Sequence, residues 1–481
     1  MFEVLTGERP GSGPGRSPAA APPPYLIEPA DRPALAAYRE LRTRVFVAEQ
    51  GLFDRSDGDD RDDDPRTVVL VARAPDGTVI GGVRLGPAAP GPDIGWWQGG
   101  RLVVDPAARH GATGGRIGAD LVRAACAHAE QAGALRFDAT VQPAQEGFFR
   151  RLGWQAIRPT AVAGHPHVLM RWPIGRLAGL AATAKSPLGG LLAGLGGAGA
   201  DGTGLAPGGD GFRGDDGAPV PGTDLVAACD AIVPSMVERD PHWAGWCSVL
   251  VNVNDLAAMG ARPAGLLDAV AARDASFAAR ILAGLGQAAE AYGVPVLGGH
   301  TQLGVPAALS VTALGRTADP VPGGAGRPGQ RVRVTADLDG DWRRGYRGRQ
   351  WDSTTTRRSA DLRAMLASVA AARPAAAKDV SMAGLAGTLG MLAEASGCRA
   401  VLDVARVPRP AAATAGDWLS CFPGFAMITT ADRADDRPLP AGPAASDACG
   451  ELTAGRGVAL RWPDGECTEV IAGAVTGLGI A

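Results

Sequence analysis

Two amides and a carboxylate stand inside an otherwise apolar stretch, Asn252-Val-Asn-Asp-Leu-Ala-Ala-Met-Gly-Ala-Arg-Pro263. At 3.6 residues per turn Val249, Val253, Leu256 and Met259 share or adjoin one face, and Asn252 and Asp255 sit three apart, able to converge on one ligand. Gly260 ends this helix and Pro263 forbids its return. A buried carboxylate is costly unless it is paired, hydrogen-bonded or coordinating a cation, so Asp255 is either a local cap or ion pair or a ligand. More acids flank the stretch in Gly214-Asp-Asp-Gly217, in Asp230 at the end of an apolar strand-like run, and in Lys378-Asp379. The pair Lys378-Asp379 reads as a helix start, with Asp379 an N-cap as well as a candidate ligand. Gly298-Gly-His-Thr301 reads as a tight turn after a strand, where glycines let the backbone approach a phosphate; His300 is either a turn residue or a ligand contact.

A second chemical feature lies in the first half. Arg101-Leu-Val-Val-Asp-Pro106 leads through Arg109 into Thr113-Gly-Gly-Arg-Ile-Gly-Ala119 and an amphipathic helix to Gly133. A strand feeding a glycine-rich turn and a helix N-terminus offers converging N–H groups and a positive dipole end, which suits a pyrophosphate. Upstream, Asp57 to Asp64 holds six acids in eight positions. It lacks the glycine and glutamate that an EF-hand loop requires, so it reads as a solvated acidic loop or an entrance for a cationic amine.

The chain has 481 residues, too many for one ordinary core. Its formal net charge of -3 gives no global basic field for nucleic acid. Seven cysteines fall singly, without a Cys-x-x-Cys pair, which reads as reduced cytoplasmic thiols rather than a disulfide frame or zinc site. No run of eighteen apolar residues suggests a membrane span. Residues 1–24 read as a disordered leader. Arg32 to Gln50 reads as a helix, and Thr67–Ala74 and Val79–Gly86 as a hairpin across Pro75-Asp-Gly-Thr78. Leu135–Gln142 reads as a strand, followed by the helical Phe148-Phe-Arg-Arg-Leu-Gly-Trp154. In the second half Leu225–Ile232, Pro263–Ala272 and Ala307–Leu314 read as strands, with helices Trp243–Gly260 and Ala275–Tyr292. A Gly/Pro seam at 323–330 precedes a further strand at Arg331.

The acidic motifs, Gly298-Gly-His-Thr301 and Lys378-Asp-Val-Ser-Met-Ala-Gly-Leu385 in this order resemble the aminoimidazole ribonucleotide (AIR) synthetase superfamily, with thiamine-monophosphate kinase and selenophosphate synthetase, over about 212–481. The resemblance implies that Asp215, Asp216, Asp230, Asp255 and Asp379 gather Mg²⁺ and the phosphates of ATP, that Asn252, Asn254, Gly298, Gly299, His300 and Thr301 help hold the nucleotide, and that Asp255 and Lys378 serve catalysis. It departs from the family at Met382, where relatives often carry an acid or glycine. Residues 25–173 resemble the general-control-related (GNAT) N-acetyltransferases. That implies acyl-CoA with its pyrophosphate over Gly114, Gly115, Arg116, Ile117, Gly118 and Ala119, assisted by Arg109, and its pantetheine along Leu102, Val103 and Val104. Thr113 and Arg116 depart from the family's phosphate loop. Phe149 stands where a tyrosine often protonates the departing thiolate, so amine deprotonation falls to Glu49 or an acid of the 57–64 loop.

The expected fold class is therefore multidomain α+β. It comprises a GNAT-like domain (25–173), a helix with a Gly-rich linker or nucleotide-covering segment (174–211), and AIR synthetase-like N-terminal (212–325) and C-terminal (326–481) subdomains. The expected function is a cytoplasmic, homodimeric, bifunctional enzyme acting on small molecules. It would transfer an acyl group from CoA to an amine and use Mg-ATP to phosphorylate an amide- or carboxyl-type oxygen. The alternative is a non-catalytic ATP and acyl-CoA sensor or scaffold. The dimer is expected through the second half, because the helix Trp243–Gly260 is apolar on more than one stripe.

Overall fold

The computed structural model describes residues 24–109, 114–195, 208–209 and 211–481. The expected leader, apart from residue 24, and Thr113 lie outside the described residues, as does most of the Gly-rich segment. The chain separates into two compact units. One is formed by residues up to Leu85 with Gly99–Ala125 and Ala161–His165; the other by Gly86–Gln98, Cys126–Thr160 and Pro166–Ala481.

In the first unit, strand Leu26–Pro29 pairs antiparallel with Val68–Arg73, which pairs with the strand beginning at Val79. Helix Arg32–Arg42 starts on Asp31, whose carboxylate accepts the Ala34 N–H at 2.8 Å. The expected single helix to Gln50 instead relaxes into a wider π-type turn at Thr43–Glu49. Tyr38, Leu41 and Val45 pack with Val71 and Val103 in one core. The acidic loop is only partly solvated: Asp60 and Asp63 are exposed, but Asp57, Asp59 and Asp62 are held by arginines. Arg42, itself buried, binds Asp57 and Asp62 at 2.7 and 2.6 Å, Arg84 binds Asp59 at 2.6 Å, and Arg101 binds Asp57 and Asp59 at 3.1 Å. Burial alone would raise the Asp62 carboxyl; Arg42 and Arg84 more than offset it and hold the group well below its ordinary range. Three arginines rising from the underlying helix and strands thus fold the loop inward. Arg101 has φ of 55°, a left-handed conformation rare for a non-glycine residue, and those ion pairs, together with its position over the Phe53 ring, hold it there.

The second unit contains two large sheets. A five-stranded sheet runs in the order Val296–Leu303, Arg262–Ala272, Ala308–Arg316, Leu225–Ala231, Ala218–Pro219, with only the first pair parallel. Helices Pro241–Ala258 and Ala275–Tyr292 cover one face. Gly245 and Gly284 set their approach, since a Cβ on either would collide with the carbonyl of Ile281 or His242. A seven-stranded sheet follows, in the order Ala376–Asp379, Ala426–Ala431, Arg331–Ala336, Ala445–Thr453, Arg399–Asp403, Val458–Arg461, Cys467–Ile471. Helix Gly384–Ala395 packs on it, and helix Arg176–Ala184 contributes Leu177 and Ala181 to the same core.

One expectation changes here. The helix expected at Trp243–Gly260 is buried on all sides, by the helix Ala275–Tyr292, by its own sheet and by strand Ala376–Asp379. Its apolar surplus is therefore consumed within one chain. Exposed apolar residues stand elsewhere in the five-stranded sheet, at Leu267, Val296, Leu297 and Leu303.

Segments of the first half that belong to this unit are also bound into it. Arg136, almost fully buried, donates to Asp138 at 2.6 Å, Asp464 at 2.9 Å and Glu466 at 2.8 Å, and lies 4.2 Å from the Trp96 ring centre. Arg171 joins Asp138 and Glu466, and the Gly416 N–H donates to Gly133 O at 3.0 Å.

Candidate functional site

Helix Pro241–Ala258 carries Asp255 on its last turns, strand Ala376–Asp379 ends on Asp379, and the turn after Gly214 supplies Asp216. One carboxylate oxygen from each lies within 4.8 Å of the other two. The pair Lys378-Asp379 therefore ends a strand rather than starting a helix, because it pairs with Ile428 and Met427 of the neighbouring strand. Asp379 does not cap; its Oδ1 is buried and has no hydrogen-bond partner. Such an orphaned carboxylate oxygen is unfavourable unless a proton or a cation completes it.

The electrostatics point the same way. Burial, then the charges of Asp379, Asp230 and Asp216, push the Asp255 carboxyl well above its ordinary value. Burial and Asp216 do the same to Asp379. Asp230 acts on both from the end of strand Leu225–Ala231 but is not one of the close trio. Asp215 is turned away. Its Oδ1 accepts from Lys378 and from the Asp216 N–H, and its Oδ2 accepts the Gly323 N–H at 2.6 Å. Lys378 is buried, and its Nζ donates to Asp216 at 2.7 Å, Asp215 at 3.0 Å and Gly214 O at 3.3 Å. Burial would lower its pKa, and the two carboxylates more than offset that, so it stays an ammonium. With every N–H engaged, it has none left for a substrate.

The amides divide. Asn252 donates back to Ser248 O on its own helix at 2.9 Å, while Asn254 donates to Gly424 O at 3.1 Å. Both side-chain carbonyl oxygens are buried and unpaired, as are the hydroxyls of Ser353 and Ser381. A Cβ on Gly424 would stand 2.9 Å from Ser353 Oγ, so Asn254 and Ser353 flank the same backbone. Ser353, Gly424 and the Gly323 N–H were not singled out from sequence; the Gly/Pro seam around 323 was the visible sign. Gly298, Gly299, His300 and Thr301 do not form a turn. They lie within the edge strand Val296–Leu303, exposed, and Gly299 is required because a Cβ there would collide with Asp268. Met382 is exposed beside Ser381.

In the first unit, Glu49 and Arg109, expected to serve as base and phosphate contact, bind each other through both carboxylate oxygens, and Arg109 also donates to Val104 O at 3.0 Å. Gly114 opens the helix that runs to Gln131, followed by Gly115. Arg116 leans back to Asp120 at 3.4 Å, and Tyr25 donates to the same carboxylate at 2.9 Å. Ile117 and Ala119 are buried, Gly118 is half-buried, and on strand Trp96–Val104 Val103 is buried between half-buried Leu102 and Val104. Phe149, in the second unit, is a core aromatic packed edge-on against Trp154 with ring centres 5.4 Å apart. All seven cysteines are free, and among the described residues no helix is long and apolar enough to cross a membrane.

Comparison with known proteins finds three family models along the chain. Residues 35–154 match the acetyltransferase (GNAT) family, 214–317 the N-terminal domain of AIR synthase related protein, and 343–463 its C-terminal domain. An uncharacterized protein of Synechocystis is 36% identical over 223 residues, spanning 45% of this chain and 69% of that protein. One of Methanocaldococcus jannaschii is 31% identical over 248 residues, 48% of this chain and 73% of that protein. A thiamine-monophosphate kinase of Synechococcus elongatus is 35% identical over 140 residues, 27% of this chain and 40% of the kinase. Among solved structures, T. maritima PurL complexed with FGAR superposes with a TM-score of 0.50 at 16% identity, covering 63% of this chain and 54% of that one, which is a likeness of fold.

Proposed function

We propose that this chain, which belongs to the AIR synthase-related family and carries a GNAT-family acetyltransferase domain ahead of it, is a two-site enzyme of small-molecule metabolism. The second site binds ATP with Mg²⁺ and passes the γ-phosphoryl group to an amide- or carboxyl-type oxygen, leaving ADP and an activated substrate. The observation that carries this reading is the buried trio Asp216, Asp255 and Asp379 with its unpaired Asp379 oxygen. Those three residues would hold the ion, whose chemistry is to offset the charge of the triphosphate. Asp230 deepens the negative potential, Lys378 fixes Asp216, and Asn254 with Ser353 offers unpaired polar groups near Gly424 for a substrate. The thiamine-monophosphate kinase match, to a protein that phosphorylates a small molecule, supports a kinase-like reaction.

The first site takes acyl-CoA at the N-terminus of helix Gly114–Gln131 and transfers the acyl group to an amine. Arg109 turning to a phosphate would release Glu49 as the base. A second reading, acyl-CoA binding without transfer, draws support from that same ion pair and from Phe149, which has no proton to give. The protein is read as a cytoplasmic homodimer, paired through the exposed apolar residues of the five-stranded sheet.

The test uses the purified full chain. Calorimetry with Mg-ATP should show binding, and a screen of amides and carboxylic acids should find one that drives ADP release. Acetyl-CoA should bind, and Gly118→Trp, which fills the half-buried space at the helix start, should abolish that binding while the fold persists. Thiol release with an amine supports transfer; saturable binding without thiol release supports the second reading. A folded chain that ignores Mg-ATP at millimolar concentration refutes the ATP site.

A further inference from the structure

We propose that the Lys378 ammonium is a built-in cation occupying the second of two cation positions, so that this site takes one divalent ion where its oxygen donors would suit two. The proposal rests on the Mg-ATP reading above.

The Nζ of Lys378 lies among Asp216 Oδ1, Asp215 Oδ1 and Gly214 O at 2.7, 3.0 and 3.3 Å. Two carboxylates and a carbonyl around a single positive centre are the hard-oxygen surroundings a divalent cation takes. The lysine side chain is 1% exposed, so this is an interior position and not a surface ion pair. The seat is shaped for it. A Cβ on Gly323 would stand 2.5 Å from Asp215 Oδ1 and 2.8 Å from Lys378 Cε, so only glycine leaves room for carboxylate and lysine together.

Asp216 connects the two positions. It accepts from Lys378 through Oδ1 and from the Asp379 N–H through Oδ2, and it also belongs to the close trio with Asp255 and Asp379. A carboxylate shared between two cations is a feature of two-metal sites. Here one partner is a side chain, and the trio, with its buried and unpaired Asp379 Oδ1, is left for an ion. Asp215, whose oxygens accept from Lys378, the Asp216 N–H and the Gly323 N–H, stands outside the close trio and serves the lysine seat. Lys378 is thus a positioning residue: it reaches no reacting atom, and it fixes both the orientation of Asp216 and the number of ions.

Manganese alone, without nucleotide, is the probe, and its binding to the full chain is read by electron paramagnetic resonance. One tight ion per chain is expected for the wild type, lost in Asp255→Asn. Lys378→Ala opens the seat and should bind two, or fold only when Mn²⁺ is present. Lys378→Met keeps the stem and removes the charge; it should bind one ion at least fivefold more tightly, since the neighbouring positive charge is gone. Two tight ions in the wild type, one in a folded Lys378→Ala, or unchanged affinity in Lys378→Met would each overturn the proposal. No ion in the wild type would instead remove the Mg-ATP reading on which it stands.

Discussion

Asp255→Asn separates a ligand from a structural acid, because the two roles predict opposite signs for stability. The trio's oxygens lie within 4.8 Å of one another. At an effective dielectric constant near 20, two unit charges at that distance repel by about 3.5 kcal/mol. Part of this is relieved by protonation, as the raised carboxyls of Asp255 and Asp379 show. The amide keeps the shape and removes one of three like charges, so the variant in EDTA should be at least as stable as wild type, by about 0–2 kcal/mol. Each kcal/mol corresponds to a few degrees in Tm. Mg²⁺ should raise the melting temperature of the wild type and leave the variant unmoved, and Mg-ATP affinity should fall about 100-fold or more, on the order of one lost charge interaction of this size. Thermal melts with and without Mg²⁺, together with calorimetric titration, measure both. A variant that melts earlier in EDTA yet binds Mg-ATP as before would show that Asp255 is a structural acid, and the site would be misassigned.

Three further outcomes follow from the structure. Asp255 and Asp379 have native pKa values above their unfolded ones, so their contribution to stability is full below the ordinary carboxyl range and is lost as pH rises through the raised values. Mg-free protein should therefore lose stability as pH rises above the ordinary carboxyl range, while Mg²⁺ affinity rises as protons leave; melts in EDTA that show no loss anywhere above that range would contradict it. Light scattering should report twice the 48.8 kDa chain mass, and Leu267→Glu in the full chain should halve it; a monomeric wild type ends the dimer reading. Arg136→Met should cost about 1–3 kcal/mol by leaving buried Asp138 to Arg171 and Trp96 alone and opening the Asp464 contact, seen as a lower melting temperature; an unshifted transition would mean the network adds nothing.

Much of this architecture was legible because its signals are local. Helix Ala275–Tyr292 stands where periodicity put it, between Asp274 as N-cap and Gly293 as left-handed C-cap. The strands at Leu225, Arg262 and Arg331 also begin within a residue of their expected positions. What failed was nonlocal. Gly298-Gly-His-Thr301 looks like a turn, yet parallel pairing with Leu267–Val270 draws it into an edge strand. Lys378-Asp379 looks like a helix start, yet pairing with Ile428 and Met427 makes it a strand end. Asp57, Asp59 and Asp62 look solvated because the arginines that neutralise them lie up to 44 residues away. For the same reason, sequence could nominate Asp215 and Asp216 together but not divide them between an ammonium and the carboxylate trio. That division depends on Gly323, 108 residues from Asp215.

The Arg136 network also bears on how the protein is made. Asp464 follows Arg136 by 328 residues. At about 5–20 residues per second, the ribosome needs roughly 15–65 s to supply that partner after Arg136 is synthesised. Through that interval the arginine lacks Asp464 and Glu466, and Trp96 awaits Trp462, against which its ring finally rests at 6.3 Å. Arg136, at the start of strand Arg136–Val141, cannot complete its contacts until the hairpin of Val458–Arg461 and Cys467–Ile471 has emerged. A chain stopped before residue 464 would leave Arg136 without Asp464 and Glu466, so the packing of this early strand waits on a hairpin more than three hundred residues later.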